Sequence, residues 1–112
     1  MTSKVFTYSE VLEQLRVLPE GEEPYVEPYT HGTMSLGMYA PHGVDEQSPH
    51  SQDELYFVME GSGVFFHNGA RTDVVKGDAL FVGAGDEHRF EDFTDDFKTW
   101  VVFWGKQGGE KE

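Results

Sequence analysis

The stretch Pro49-His50-Ser51-Gln52-Asp53-Glu54 sets an imidazole and a carboxylate four residues apart. On a strand an even spacing sends both side chains to one side. A helix does the same at i and i+4, but Pro49 and the β-rich continuation LYFVME argue for a strand. A second imidazole, His88, stands just past the glycine-rich turn GAGDE, at the mouth of another strand-like run. Two imidazoles and one carboxylate, if they converge, form a facial set that suits divalent iron, with manganese, nickel or zinc as competitors. Spacing alone equally fits unconnected surface side chains. Both histidines ligate only when unprotonated, so metal affinity is expected to fall below about pH 6–6.5.

The elements that position these residues are short. The chain has 112 residues, the size of one domain, with 38% apolar and 14% aromatic residues, enough for a single core. Thr7-Tyr8-Ser9-Glu10 reads as a capping box, and Val11, Leu12, Leu15 and Leu18 follow at helical spacing until Pro19. GEEPYVEP then reads as an extended connector. From Gly32 the period changes to two. Met34, Leu36 and Met38 alternate with small polar residues, and LYFVME, VFFH, ARTDVV, ALFV, HRF and TWVVFW follow at short intervals. Asn68-Gly69 between VFFH and ARTDVV is a strong hairpin signal. The pattern predicts an antiparallel sandwich or small barrel with one short N-terminal helix. Within LYFVME, Glu54, Tyr56 and Val58 share one face and Leu55, Phe57 and Met59 the other. The interior covers one face; the helix or a second copy must cover the other, so a homodimer is expected.

Charge excludes several functions. The net charge is −13, from 21 acidic and 8 basic residues, which repels phosphate backbones and anionic lipid. Neither nucleic acid nor a membrane surface is expected as a partner. The absence of cysteine rules out disulfides, thiolate nucleophiles and Cys-ligated metals. No apolar run approaches the roughly 20 residues of a membrane span, and MTSKVFTYSE has no signal-peptide stretch, so a cytoplasmic location is expected.

Two motifs in order give the chain a resemblance to single-domain cupins over roughly residues 32–104. The cupin first motif has a His-x-His pair, then three or four residues, a Glu, six residues and a Gly. Here His50, Glu54 and Gly61 take those places. The second motif runs Gly, five residues, Pro-x-Gly, two residues, His, three residues and Asn. Gly77, Gly85 and His88 fall in register, with Gly83 at the Pro position and Asp92 at the Asn position. The resemblance implies a double-stranded β-helix, or jelly-roll barrel, holding a divalent metal (Fe, Mn, Ni or Zn) through His50, Glu54 and His88. Residues 1–31 then form the helix and connector, 32–104 the barrel, and 105–112 a loose tail. Ser48 stands where the family usually has its first histidine, and a serine hydroxyl is a poor ligand for such ions. Gln52 shares the parity of the ligands and, like Gln47, could coordinate, bond a metal-bound water or line the pocket. The Pro-His-x-Gln-Asp-Glu stretch is similar to that of a cupin subgroup.

Tyr56 and Phe90 share parity with Glu54 and His88 and are expected to wall the pocket. His42 and His67 read as surface residues, His67 because it abuts the Asn68-Gly69 turn. The Glu91-Asp92 and Asp95-Asp96 run lacks the spaced ligands of a calcium loop. The expected function is that of a metal-dependent enzyme acting on a small organic molecule, of the oxygenase or isomerase/lyase type. The alternative is a non-catalytic module that binds a small ligand or a metal.

Overall fold

The computed structural model describes residues 4–111; the first three residues and Glu112, which belong to the expected terminal segments, lie outside it. Helix α1 spans Tyr8–Arg16, and Thr7 caps it by accepting from the Glu10 backbone N–H at 3.2 Å. Eight strands follow: β1 (Tyr25–His31), β2 (Met34–Tyr39), β3 (Asp53–Glu60), β4 (Ser62–His67), β5 (Ala70–Val75), β6 (Ala79–Val82), β7 (His88–Glu91) and β8 (Lys98–Trp104). They form two antiparallel sheets, in the orders β1-β2-β8-β3-β6 and β5-β4-β7. Among the described residues, no helix is long and apolar enough to cross a membrane.

The period-two pattern fixes the inner faces. Glu54, Tyr56 and Val58 of β3 are buried, whereas Phe57 between them is exposed. Tyr56 and Val58 pack with Tyr39, Val82 and Val101 of the same sheet. Phe65, Val74 and Phe90 arrive from the facing sheet, and Phe97 from the loop before β8. The Asn68-Gly69 hairpin forms as expected, joining β4 to β5 with both turn residues at positive φ.

Two segments are more ordered than the sequence implies. The connector after α1 is itself partly a strand: β1 pairs with β2 at the edge of the larger sheet, and its register shifts between Val26 and Tyr29, around Pro28. A proline without an N–H is accommodated at such an edge and irregularity. The segment after β8, expected to be loose, is fastened to the start of β3. Gly108 N–H donates to the Ser51 carbonyl at 2.7 Å and Glu110 N–H to Asp53 Oδ2 at 2.9 Å.

Helix α1 covers part of the outer face of the larger sheet. Val11 is buried there, Tyr8 packs on Trp100, and the Tyr8 hydroxyl donates to Glu60. Phe57 and Phe81 lie beyond its reach and stay exposed.

Candidate metal centre

Glu54 leaves the inner face of β3 between Val82 of β6 and Phe103 of β8, and none of it is exposed. His88 opens β7 on the opposite sheet, so the pair bridges the two halves of the sandwich. His50 reaches the same place differently from the expected strand alternation. It lies in the loop three residues before β3, its carbonyl held by the Gly85 N–H at 2.7 Å and its ring set edge-on to Phe103 at 5.1 Å. One donor atom from each of His50, Glu54 and His88 lies within 4.8 Å of the other two.

The tautomer of His88 is fixed by its neighbour. Nδ1 stands 3.0 Å from the Asp86 carbonyl oxygen, which can only accept, so Nδ1 carries the hydrogen. In the neutral ring Nε2 is then a bare lone pair. It sits 2.8 Å from Glu54 Oε1, an ion pair when the ring is protonated, while Glu54 Oε2 is buried without a hydrogen-bond partner. A proton on Nε2 or a cation held by both groups relieves two acceptors this close, and Glu54 Oε2 still has no partner. With His50 beside them, the two groups would fit as donors to one common divalent ion. His50 Nδ1 is 3.4 Å from the same Glu54 oxygen.

Charge in the cluster is balanced against burial. Burial pushes the Glu54 carboxyl up, but the His50 and His88 rings outweigh it and hold it below its ordinary value. Burial pushes His88 down, yet the Glu54 carboxylate and the Asp86 carbonyl leave it raised. Such opposed effects around one cleft are typical of a functional site.

A buried polar chain, not foreseen from the sequence, supports Tyr56. Asp45, in the loop after β2, accepts from the Tyr39 hydroxyl at 2.7 Å, from Gln47 Nε2 at 2.8 Å and from the Phe90 N–H at 2.8 Å. Gln47, its amide thus oriented, presents its carbonyl oxygen to the Tyr56 hydroxyl at 3.0 Å, and the same hydroxyl is 3.2 Å from Glu54 Oε1. Burial and the Glu54 charge keep the Tyr56 phenol well above its ordinary value, so it remains a proton donor. Nothing in the spacing of HGVDEQS marks Asp45; only the fold sets it against β7.

The other expected site residues divide. Tyr56 and Gln47 line a cavity of about 240 Å³ over the cluster, together with Glu23, Tyr25, Glu27, Tyr39, His50, Val101 and Phe103. Phe90 stands one layer behind instead of in the wall, edge-on to the Tyr56 ring at 5.1 Å, because β7 sets it in the core. Gln52 is not drawn to the ligands: Nε2 donates to the Thr33 and Gly105 carbonyls at 2.9 and 2.8 Å, since its loop has not yet entered the strand that parity assumes. Ser48 is exposed. His67, expected on the surface, is half-buried and 2.8 Å from Asp86 Oδ2, whose other contact, the Gly83 N–H, braces the turn before His88.

Comparison with known proteins matches this architecture. Residues 35–104 match the cupin domain, so the chain belongs to the cupin family. It is 35% identical over 102 residues to the uncharacterized protein SCO3923 of Streptomyces coelicolor, covering 89% of this chain and 94% of that one. A Cupin 2 conserved barrel domain protein from Salinispora arenicola superposes with a TM-score of 0.67 at 18% identity, covering 94% of this chain and 91% of that one. KdgF from Halomonas sp. superposes with a TM-score of 0.64 at 14% identity, covering 74% and 78% respectively. Both structural likenesses concern the fold.

Proposed function

We propose that this cupin holds one divalent metal ion through His50, Glu54 and His88 and acts on a small organic molecule seated in the cavity above it. The observation that carries the reading is the convergence of donor atoms from His50, Glu54 and His88 within 4.8 Å of one another, with Glu54 Oε2 buried and unpaired. A divalent ion at this point supplies Lewis acidity that polarises a carbonyl or hydroxyl or acidifies a water, and iron adds oxygen chemistry. Glu54 contributes the compensating charge, and the Asp86 carbonyl keeps the His88 lone pair free. Tyr56 holds a proton between Gln47 and Glu54 at the cavity floor, where it can donate to a bound oxygen. Tyr25, Tyr39 and Phe103 give the cavity an aromatic wall against which a small organic molecule can pack. The reaction is of the oxygenase or isomerase/lyase type.

Elemental mass spectrometry of freshly purified protein tests the metal. About one divalent ion per chain is expected, and its absence together with no metal-induced rise in melting temperature refutes the reading.

A second reading, a binding module without turnover, is favoured by the lining: no serine, threonine or lysine is among the residues around the cavity. Oxygen uptake or product formation with a panel of small carbonyl, phenolic and sugar compounds separates the two. Saturable binding that leaves the compound unchanged supports the module.

The assembly proposed is a homodimer through the outer face of β3 and β6. Phe57 and Phe81 are exposed there beside Leu55 and Ala79, and none of the four is charged. An uncharged apolar patch is where two copies at −13 each meet with least repulsion. Sedimentation should show a dimer that Phe81→Glu dissociates; a monomeric parent protein at micromolar concentration rejects it.

A further inference from the structure

The mouth of the cavity differs in charge from its floor. Glu23 and Glu27 stand at the rim, in and just before the edge strand β1, and neither lysine nor arginine is among the lining residues. Between rim and floor the walls are largely aromatic: Tyr25, Tyr39, Tyr56 and Phe103. Tyr25 crosses the inner face of β2 where Gly37 offers no Cβ, and its hydroxyl donates to Glu27 Oε2 at 3.1 Å. Tyr56 and His50 line the floor, and directly behind them the buried Glu54 has an Oε2 without a partner. Behind the wall Asp45 adds a second buried carboxylate, compensated only by neutral donors.

We infer that the cavity selects a small organic cation, an ammonium-bearing molecule with an oxygen donor at its other end, over neutral and anionic molecules of the same shape. The inference rests on the reading of this cavity as the ligand site over the metal. An ion of charge two held by Glu54 leaves the floor electropositive, and an oxygen donor belongs there. The rim keeps two carboxylates that this ion does not neutralise. A cationic head between them gains Coulomb attraction and an aromatic lining from Tyr25, Tyr39 and Phe103, the surroundings in which ammonium groups are bound. A phosphate or carboxylate head meets only like charge at the rim. The fields of Glu27, Glu54 and Glu23 all reach the Tyr25 hydroxyl and, with burial, raise it, in keeping with carboxylates gathered on this opening.

The test is a ligand-observed NMR titration of the full chain with choline and with its neutral tert-butyl analogue, in which carbon replaces the nitrogen. Choline is expected to bind about fivefold or more tightly, with the margin shrinking as salt is raised. In a Glu23→Gln/Glu27→Gln variant the two probes should come within about twofold, while Tyr25→Phe keeps most of the preference. Equal affinities, tighter binding of the neutral analogue, no binding of either at millimolar concentration, or a preference that survives the double variant overturns the inference. Metal content measured on the same samples keeps the two readings apart. A metal-bearing chain that ignores the charge sinks this inference alone, and a metal-free chain that still prefers choline sinks the metal centre alone.

Discussion

The backbone N–H of Gly85 donates to the carbonyl of His50 at 2.7 Å and ties together the two loops that carry the histidines. His50 precedes β3 and His88 opens β7, on opposite sheets, so this bond, with that of the Ala84 N–H to Asp53 Oδ1 at 2.9 Å, sets the loop of one imidazole against the loop of the other. Gly85 has φ +82° and open space around its α-carbon. A side chain there is strained by conformation alone. Gly85→Ala should therefore cost about 1 kcal/mol in chemical denaturation and weaken metal binding severalfold through His50. Unchanged metal affinity would show that His50 is placed without this bond.

Removing ligands should empty the centre. His88→Ala and Glu54→Gln are expected to abolish metal occupancy by elemental analysis, and His50→Ala to reduce it most of the way, since His50 is partly exposed and farther from the shared oxygen. Full occupancy in both histidine variants contradicts the assignment.

Asp45 is 4% exposed and accepts from three separate segments. Asp45→Ala leaves the Phe90 N–H and the Tyr39 hydroxyl unpaired in the core and should cost about 3 kcal/mol. For a domain of this size that corresponds to a fall in Tm of about 15 °C. A loss within about 0.5 kcal/mol means that water replaces the carboxylate without penalty.

Gly37 lies under the Tyr25 ring, and a methyl group there overlaps the end of the phenol. Gly37→Ala should displace Tyr25 from the cavity wall and destabilise the chain by about 1–3 kcal/mol. Choline affinity should fall with it. Full retention of both stability and affinity would place Tyr25 elsewhere in solution.

The cluster predicts opposite pH responses with and without metal. His88 is raised in the folded, metal-free chain, so its contribution is full below the unfolded value of 6.5 and is lost as pH rises through the higher folded value. Glu54 is lowered, so its contribution is present above 4.5 and is lost as pH falls through the lower folded value. Melting temperature in chelator should thus decline on the alkaline side of 6.5, a slope that His88→Gln removes. Added metal should reverse it, because protons leave His88 as the ion binds. The fall in affinity on acidification then begins above the 6–6.5 expected from ordinary histidines. Parallel curves with and without metal would speak against ligation by His88.

Much of this was readable before the coordinates. The faces of β3 follow from strict alternation about Glu54, Tyr56 and Val58, because burial on one side of a sheet leaves no other register. The barrel was legible in the motif spacing, and the same motifs singled out His50, Glu54 and His88, which the fold brings within 4.8 Å of one another. The failures share a cause: parity holds only inside a strand. Gln52 and His50 lie before β3 begins, so Gln52 turns to Gly105 and Thr33 while His50 is steered by Gly85. Asp45 was illegible because its partners, Tyr39 and Phe90, are brought to it by strands that neighbour it only in space. Strand β1 was hidden by Pro28 and its charges, features that suit an edge.

The bonds from Gly108 and Glu110 to Ser51 and Asp53 have a practical corollary. They moor the last residues to the same loop that delivers His50. A purification handle or fluorescent protein fused at this end therefore tugs on the loop of His50, the proposed ligand, whereas one placed ahead of α1 leaves that loop alone. Assays of loading are best designed around the front of the chain.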